Sequence, residues 1–119
     1  SQIEGIMGFS FEMARASRTL IISAEEIVDN EEIRRYPDRT MIPYYLVDAV
    51  VESPFGSHPG EMCYRYKRDE VQIREWVQAA QEPDSTRAYL DKYIYNVRNH
   101  QEYLALIGED RLRGLKTER

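Results

Sequence analysis

Six consecutive residues, Phe55-Gly56-Ser57-His58-Pro59-Gly60, hold the side chains best suited to chemistry. His58 can give or take a proton near neutral pH, and the glycines let a ligand come close to the backbone. The segment follows an apolar run, Leu46 to Glu52. If that run is a buried strand, the loop lies where ligands gather in open α/β sheets, beyond the carboxyl ends of the strands. The competing reading is a rigid turn presenting an exposed histidine, and spacing alone does not choose between them. Ser57 and His58 do not read as a nucleophile and its base, because adjacent side chains in an extended loop point apart.

Carboxylates form the second group of candidates. Glu25 and Glu26 adjoin a first apolar run, Glu52 ends the second, and Glu61 lies past the loop. In a strand Glu25 and Glu26 would face opposite ways, and a charge at a strand end is ordinarily just solvated. Nine tyrosines, among them Tyr44, Tyr45, Tyr64, Tyr66, Tyr89, Tyr93, Tyr95 and Tyr103, raise the idea of a ring-stacking site. At helical spacing, Tyr89, Tyr93 and Tyr103 read more simply as core or interface residues with a wet hydroxyl. His58 and His100, the only histidines, are far apart, and with one cysteine, Cys63, they do not make a zinc site. No metal is therefore expected. Neither the P-loop nor the G-x-G-x-x-G pattern occurs.

Two apolar runs and three helical segments must position these residues. Phe11 to Ser17 has room for two helical turns. Thr19-Leu20-Ile21-Ile22-Ser23 is rich in β-branched residues and lacks polar alternation, which suits a strand buried on both faces of a parallel sheet. Ser23-Ala24-Glu25-Glu26 has the form of a capping box, although Ile27 and Val28 equally continue a sheet edge. Glu31 to Arg35 reads as a helical turn that stops before Pro37. Leu46 to Glu52 is the second buried strand, and the prolines and glycines of residues 53–60 end it. Ile73, Trp76, Val77 and Ala80 mark one face of a helix starting near Asp69. Pro83 opens the next helix, striped by Tyr89, Leu90, Tyr93 and Ile94. A third, with His100, Tyr103, Leu104 and Ile107, is capped by Asn99 and stopped by Gly108.

The pattern therefore predicts an α/β fold with few buried parallel strands followed by three C-terminal helices, in a single domain over residues 1–119. Two or three strands rarely make a stable parallel sheet alone. The sheet is expected to continue in residues outside this chain, with Ser1-Gln2-Ile3-Glu4-Gly5 as a strand end and turn. An open sheet edge is expected to promote self-association.

Composition narrows the function. Hydrophobic residues make up 42% and charged residues 31%, as in ordinary globular proteins. A net charge of −5 opposes phosphate backbones, and the basic groups Arg34–Arg35 and Arg111, Arg113, Lys116 and Arg119 are flanked by acids. No nucleic-acid partner is expected. A single cysteine forms no internal disulfide. No signal-like opening or membrane-length apolar run is present. A cytoplasmic location without membrane contact is the expectation.

Several stretches resemble a known family. Phe11-Glu12-Met13-Ala14-Arg15-Ala16 through Ile22-Ser23-Ala24-Glu25-Glu26-Ile27-Val28 is similar to the α subunit of the family I CoA-transferases, of the glutaconate CoA-transferase type. Thr40-Met41-Ile42-Pro43, Val47-Asp48-Ala49-Val50-Val51 and Pro54-Phe55-Gly56-Ser57-His58-Pro59 carry the same resemblance. So do Tyr89-Leu90-Asp91-Lys92-Tyr93 and His100-Gln101-Glu102-Tyr103-Leu104. The resemblance covers almost the whole chain but only the C-terminal part of such a subunit.

It implies part of an α/β/α CoA-transferase fold, a β-subunit partner in a hetero-oligomer, and coenzyme A, acyl-CoA and carboxylic acids as substrates. It places the catalytic glutamate, and the glutamyl-CoA intermediate it forms, in the β subunit, so that no catalytic residue is expected in this chain. It also implies a substrate-binding role for Phe55, Gly56, Ser57, His58 and Pro59. Phe55 and Ser57 stand where the family pattern has Tyr and Ala, which leaves the acyl group open. Same-fold relatives that hydrolyse CoA thioesters or open rings in steroid and aromatic catabolism are the first alternative. A non-catalytic interaction module is the second.

Overall fold

A computed structural model of the chain describes residues 1–5 and 8–117. Arg119, one of the tail cations, lies outside the described residues. The chain divides into two compact units, Ser1–Gly56 and Ser57–Arg119.

The first unit contains helix α1 (Ser10–Ala16), strand β1 (Ile21–Ala24), helix α2 (Asn30–Arg35) and strand β2 (Ala49–Glu52). Helix α1 buries Ala14 and ends where the Ser17 hydroxyl donates to the Met13 carbonyl at 2.7 Å. Helix α2 stops before Pro37, as expected, and a 3-10 turn follows over Pro37–Arg39. Each strand starts later than its apolar run. Pro43 leads a 3-10 turn over Tyr44–Leu46, closed by the Val47 amide on the Tyr44 carbonyl, so extended chain resumes only beyond it. Ser23 lies inside β1, and the capping box is not used; no helix starts there.

The strands pair in parallel, with Ile21 opposite Ala49 and Ala24 opposite Glu52. The expected burial on both faces is absent: Ile21 is 63% exposed, and Val50 and Val51 are exposed as well. Double-sided burial needs flanking strands and covering helices. Among the described residues each strand has only the other as neighbour. At the chain's start, Gln2 bridges to Thr40, and its side-chain amide donates to the carbonyls of Ile33 and Tyr36, both at 2.8 Å.

The second unit is helical. Helix α3 (Glu70–Ala79) is capped by Asp69, whose side chain accepts from the amides of Val71 and Gln72. Helix α4 (Pro83–Leu90) has Pro83 in its first turn and runs into a π-helical turn over Asp91–Tyr95. Helix α5 (His100–Ile107) is capped by Asn99, which accepts from the Glu102 amide. Gly108, at φ 93°, ends it, but the chain then forms a fourth helix, α6 (Glu109–Leu115). The three expected helices are present, with one beyond them.

The apolar stripe assigned to α3 is not its buried face. Trp76 and Val77 are exposed, while Gln72 is only 2% exposed. This face turns inward to complete a polar network, which period counting over apolar residues cannot register. Tyr66, Tyr93, Ile107 and Leu112 supply the apolar core. Beside them, the chain near Lys116 pairs with the 65–67 segment, the Lys67 amide donating to Leu115 at 2.9 Å and the Thr117 amide to Arg65 at 3.0 Å.

Candidate functional site

In the first unit, the carboxyl ends of β1 and β2 are tied together by side chains of the opposite strand's extension. The Ser53 amide donates to the Ala24 carbonyl at 2.7 Å, prolonging the ladder. Beyond it, one Glu25 carboxylate oxygen accepts from the Phe55 amide at 2.7 Å and the other from the Gly56 amide at 3.0 Å. In return, Glu52 accepts from the Ile27 amide at 3.2 Å. Glu25 and Glu52 are thus acceptors for backbone N–H groups. Phe55 sits in the left-handed region at φ 57°, which points consecutive amides at one carboxylate.

Gly56 has a definite steric reason. A Cβ there would lie 2.8 Å from the Ser53 carbonyl oxygen, the acceptor that also closes the turn from the Gly56 amide at 2.9 Å. Gly60 repeats the pattern in the second unit, where a Cβ would lie 2.8 Å from the Ser57 carbonyl oxygen. The space these glycines leave is therefore used by the chain's own turns.

In the second unit, Ser57 is exposed and its amide donates to the Tyr66 hydroxyl at 3.0 Å. His58 precedes a cis peptide to Pro59. It is not an exposed histidine: its side chain has no accessible surface. Nδ1 lies 2.7 Å from the Tyr103 hydroxyl and Nε2 lies 3.0 Å from Asp69 Oδ2. The Asp69 carboxylate also accepts from Arg111, at 2.8 Å on Oδ1 and 2.6 Å on Oδ2. Burial pushes the His58 imidazole below its usual range, against the opposing pull of Asp69. Burial would raise the Asp69 carboxyl, but bonds from Arg111, the Gln72 amide and His58 outweigh it and hold the group down. With Asp69 ionised and His58 neutral, Nε2 carries the proton and Nδ1 accepts from Tyr103. The Tyr103 hydroxyl in turn accepts from the Gln72 side-chain amide at 3.3 Å. Every donor and acceptor on the imidazole is thereby committed to an internal partner.

The remaining candidates are dispersed. Tyr89 packs at a tilt against Trp76 and Tyr93, with ring centroids 5.1 and 4.7 Å apart. The Tyr93 hydroxyl donates to Glu75 at 2.7 Å. Tyr44 and Tyr45 are exposed and meet edge to face. Of the basic groups, Arg34 and Arg35 pair with Glu31 and Glu32, and Arg113 pairs with Asp110. Asp69 and Arg111 were missed as site residues by sequence reasoning. The only available signal was the position of Asp69 ahead of α3, and that signal names a cap, not the two partners it also serves.

Comparison with known proteins gives this geometry a lineage. No family model matches the sequence. An uncharacterized protein of Archaeoglobus fulgidus is 45% identical over 108 residues, which is 91% of this chain and 24% of that protein. The A subunit of glutaconate CoA-transferase from Acidaminococcus fermentans is 33% identical over 105 residues, 88% of this chain and 33% of that relative. The crystal structure of glutaconate coenzyme A-transferase from the same organism matches with a TM-score of 0.92 at 32% identity, over 98% of this chain and 37% of that one. The chain is homologous to a C-terminal part of the CoA-transferase A subunit. A second named relative, the A subunit of 3-oxoadipate CoA-transferase from Pseudomonas knackmussii, is 31% identical over 105 residues, 88% of this chain and 36% of that relative. The chain thus spans between 24% and 37% of the length of the proteins it matches. Its short parallel sheet and helices belong to the α/β fold of CoA-transferases.

Proposed function

We propose that this chain is part of the A subunit of a CoA-transferase that moves CoA between carboxylic acids. The observation that carries the reading is the match to two CoA-transferase A subunits, each over 88% of the chain. In the reaction envisaged, a glutamate from a partner B subunit makes the attack on the acyl-CoA thioester. The C–S bond breaks and CoA leaves as thiolate, giving a mixed anhydride. The thiolate then attacks the glutamyl carbonyl, releases the first acid as its carboxylate and forms a glutamyl thioester. An acceptor carboxylate runs the two steps in reverse. Covalent catalysis of this kind replaces one difficult exchange by easier ones.

The role proposed for this chain is binding. Residues Phe55 to Pro59 follow a parallel strand, and ligands of such sheets collect beyond strand carboxyl ends. Phe55 and Ser57 present side chains that can meet an acyl group, while the part proposed for His58 is to anchor the segment through Asp69 and Tyr103. We read residues 1–119 as a piece of one subunit domain, acting in the cytoplasm with coenzyme A as substrate and without a metal. Both named relatives are transferases, which favours transfer over hydrolysis or ring opening.

The test is an assay of the complete A subunit co-expressed with its B partner, using an isotopically labelled CoA thioester and a free carboxylate. Label should move to the acceptor's thioester without net loss of CoA ester. Loss to water at the same rate without an acceptor would overturn transfer in favour of hydrolysis.

A further inference from the structure

The two carboxylate oxygens of Glu25 hold consecutive amides of the segment assigned to binding, and that role follows neither from its position in the sequence nor from its homology. The Phe55 amide donates to Oε2 at 2.7 Å and the Gly56 amide to Oε1 at 3.0 Å. The Gly56 amide also has the Ser53 carbonyl at 2.9 Å, so Glu25 shares that donor with the turn while it accepts from Phe55. Phe55 itself is held at φ 57°, a conformation a non-glycine residue keeps only when its surroundings enforce it. The bond crosses 30 positions of chain, from the end of β1 to the turn after β2. It is a long-range brace, not a local turn motif.

We propose that Glu25 is a positioning residue, fixing the backbone of Phe55 and Gly56 at the carboxyl end of the parallel strands so that the binding segment is set before substrate arrives. The inference rests on the binding role assigned to that segment above. A built-in comparison exists at the other end of the same strands. Asp48 accepts from the Leu20 amide at 2.7 Å, also across β1 and β2, but at their amino ends. Its bond matches the Phe55–Glu25 bond in length and type, and it lies away from the proposed binding segment. A merely structural brace predicts equal consequences for loss of either carboxylate, whereas a positioning role predicts unequal ones.

The experiment compares Glu25→Gln and Asp48→Asn in the complete A subunit in complex with its B partner. Gln keeps one acceptor oxygen and turns an NH2 group against the other amide, so it cannot hold both. The expected result for Glu25→Gln is a fall in kcat on the order of 10²-fold, the scale of a misplacement near 1 Å, with KM for the CoA thioester near the wild-type value. Asp48→Asn should lower the melting temperature at least as much and leave kcat near wild type. Amide hydrogen exchange at Phe55 should be slow in wild type and Asp48→Asn and fast in Glu25→Gln. Wild-type kcat in Glu25→Gln, or equal kcat losses in both variants, overturns the proposal. If the wild-type assembly transfers no CoA, the functional reading fails separately. The exchange rate at Phe55 still decides the brace, and protection unchanged in Glu25→Gln sinks it.

Discussion

Asp69 takes bonds from His58, from Arg111 and from the amides of Val71 and Gln72 while almost fully buried. A buried carboxylate is tolerable only when paired and hydrogen-bonded, and removing one partner of such a cluster leaves the others unsatisfied. Asp69→Ala is therefore expected to cost on the order of 3 kcal/mol or more, measured by urea unfolding of the protein at neutral pH. His58 adds a pH dependence. Its folded pKa lies below the ordinary 6.5, so on acidification the unfolded chain binds the proton first. The stability His58 confers is complete above pH 6.5 and is lost as pH falls through the folded value. Asp69, also depressed, adds its own loss at pH values below 3.8. Unfolding free energy should fall between pH 7.5 and 5.5, and His58→Gln should flatten that slope; an identical slope in the variant would refute the assignment. The sequence marked His58 as the residue to watch for chemistry. Its burial was not legible, because Asp69, Tyr103 and Arg111 lie 11, 45 and 53 positions away along the chain and only tertiary structure unites them.

Helices α3 and α5 were the most legible elements, because Asp69 and Asn99 are N-caps that accept from amides two or three residues on. Gly108 is legible as a stop but not as a junction. At φ 93° and ψ 139° it breaks α5 and at once admits α6, whose first turn carries Glu109 and Asp110. A Cβ at Gly108 would meet nothing within 4 Å, so substitution there tests backbone conformation alone. Gly108→Ala is expected to destabilise by on the order of 1–3 kcal/mol despite the open space, read as a shift in the urea midpoint with an unchanged m-value. A neutral result would mean that the residue relaxes to negative φ without cost to either helix. The strands were legible in kind and pairing direction but not in extent. Apolar runs mark where a strand is possible, while Pro43 and the turn over Tyr44–Leu46 set where β2 begins. The α3 stripe misled for a related reason: burial there follows polar partners of Gln72, not hydrophobicity.

For the chain as a whole, the sheet is the least covered part. Among the described residues it has two strands of four residues, with Ile21, Val50 and Val51 exposed. Open strand edges invite pairing with another chain. Expressed alone, residues 1–119 are expected to self-associate, and Val50→Lys should shift the sedimentation profile toward monomer; a monomeric wild-type chain at high concentration would contradict this. The shortage of strands was legible because apolar runs can be counted. The carboxylates at the strand ends were not, because an acid at a strand end looks like any solvated charge until its acceptor role is seen. They bear on the route of folding. Leu20 and Asp48 are 28 positions apart, as are the paired residues Ile21 and Ala49, so no contact of the sheet rewards the chain until a long loop has closed. Helices α3 to α6 draw on neighbours a few positions away and can form within microseconds. The second unit should therefore acquire its helices early, and the pairing of β1 with β2 should be among the slow events of folding.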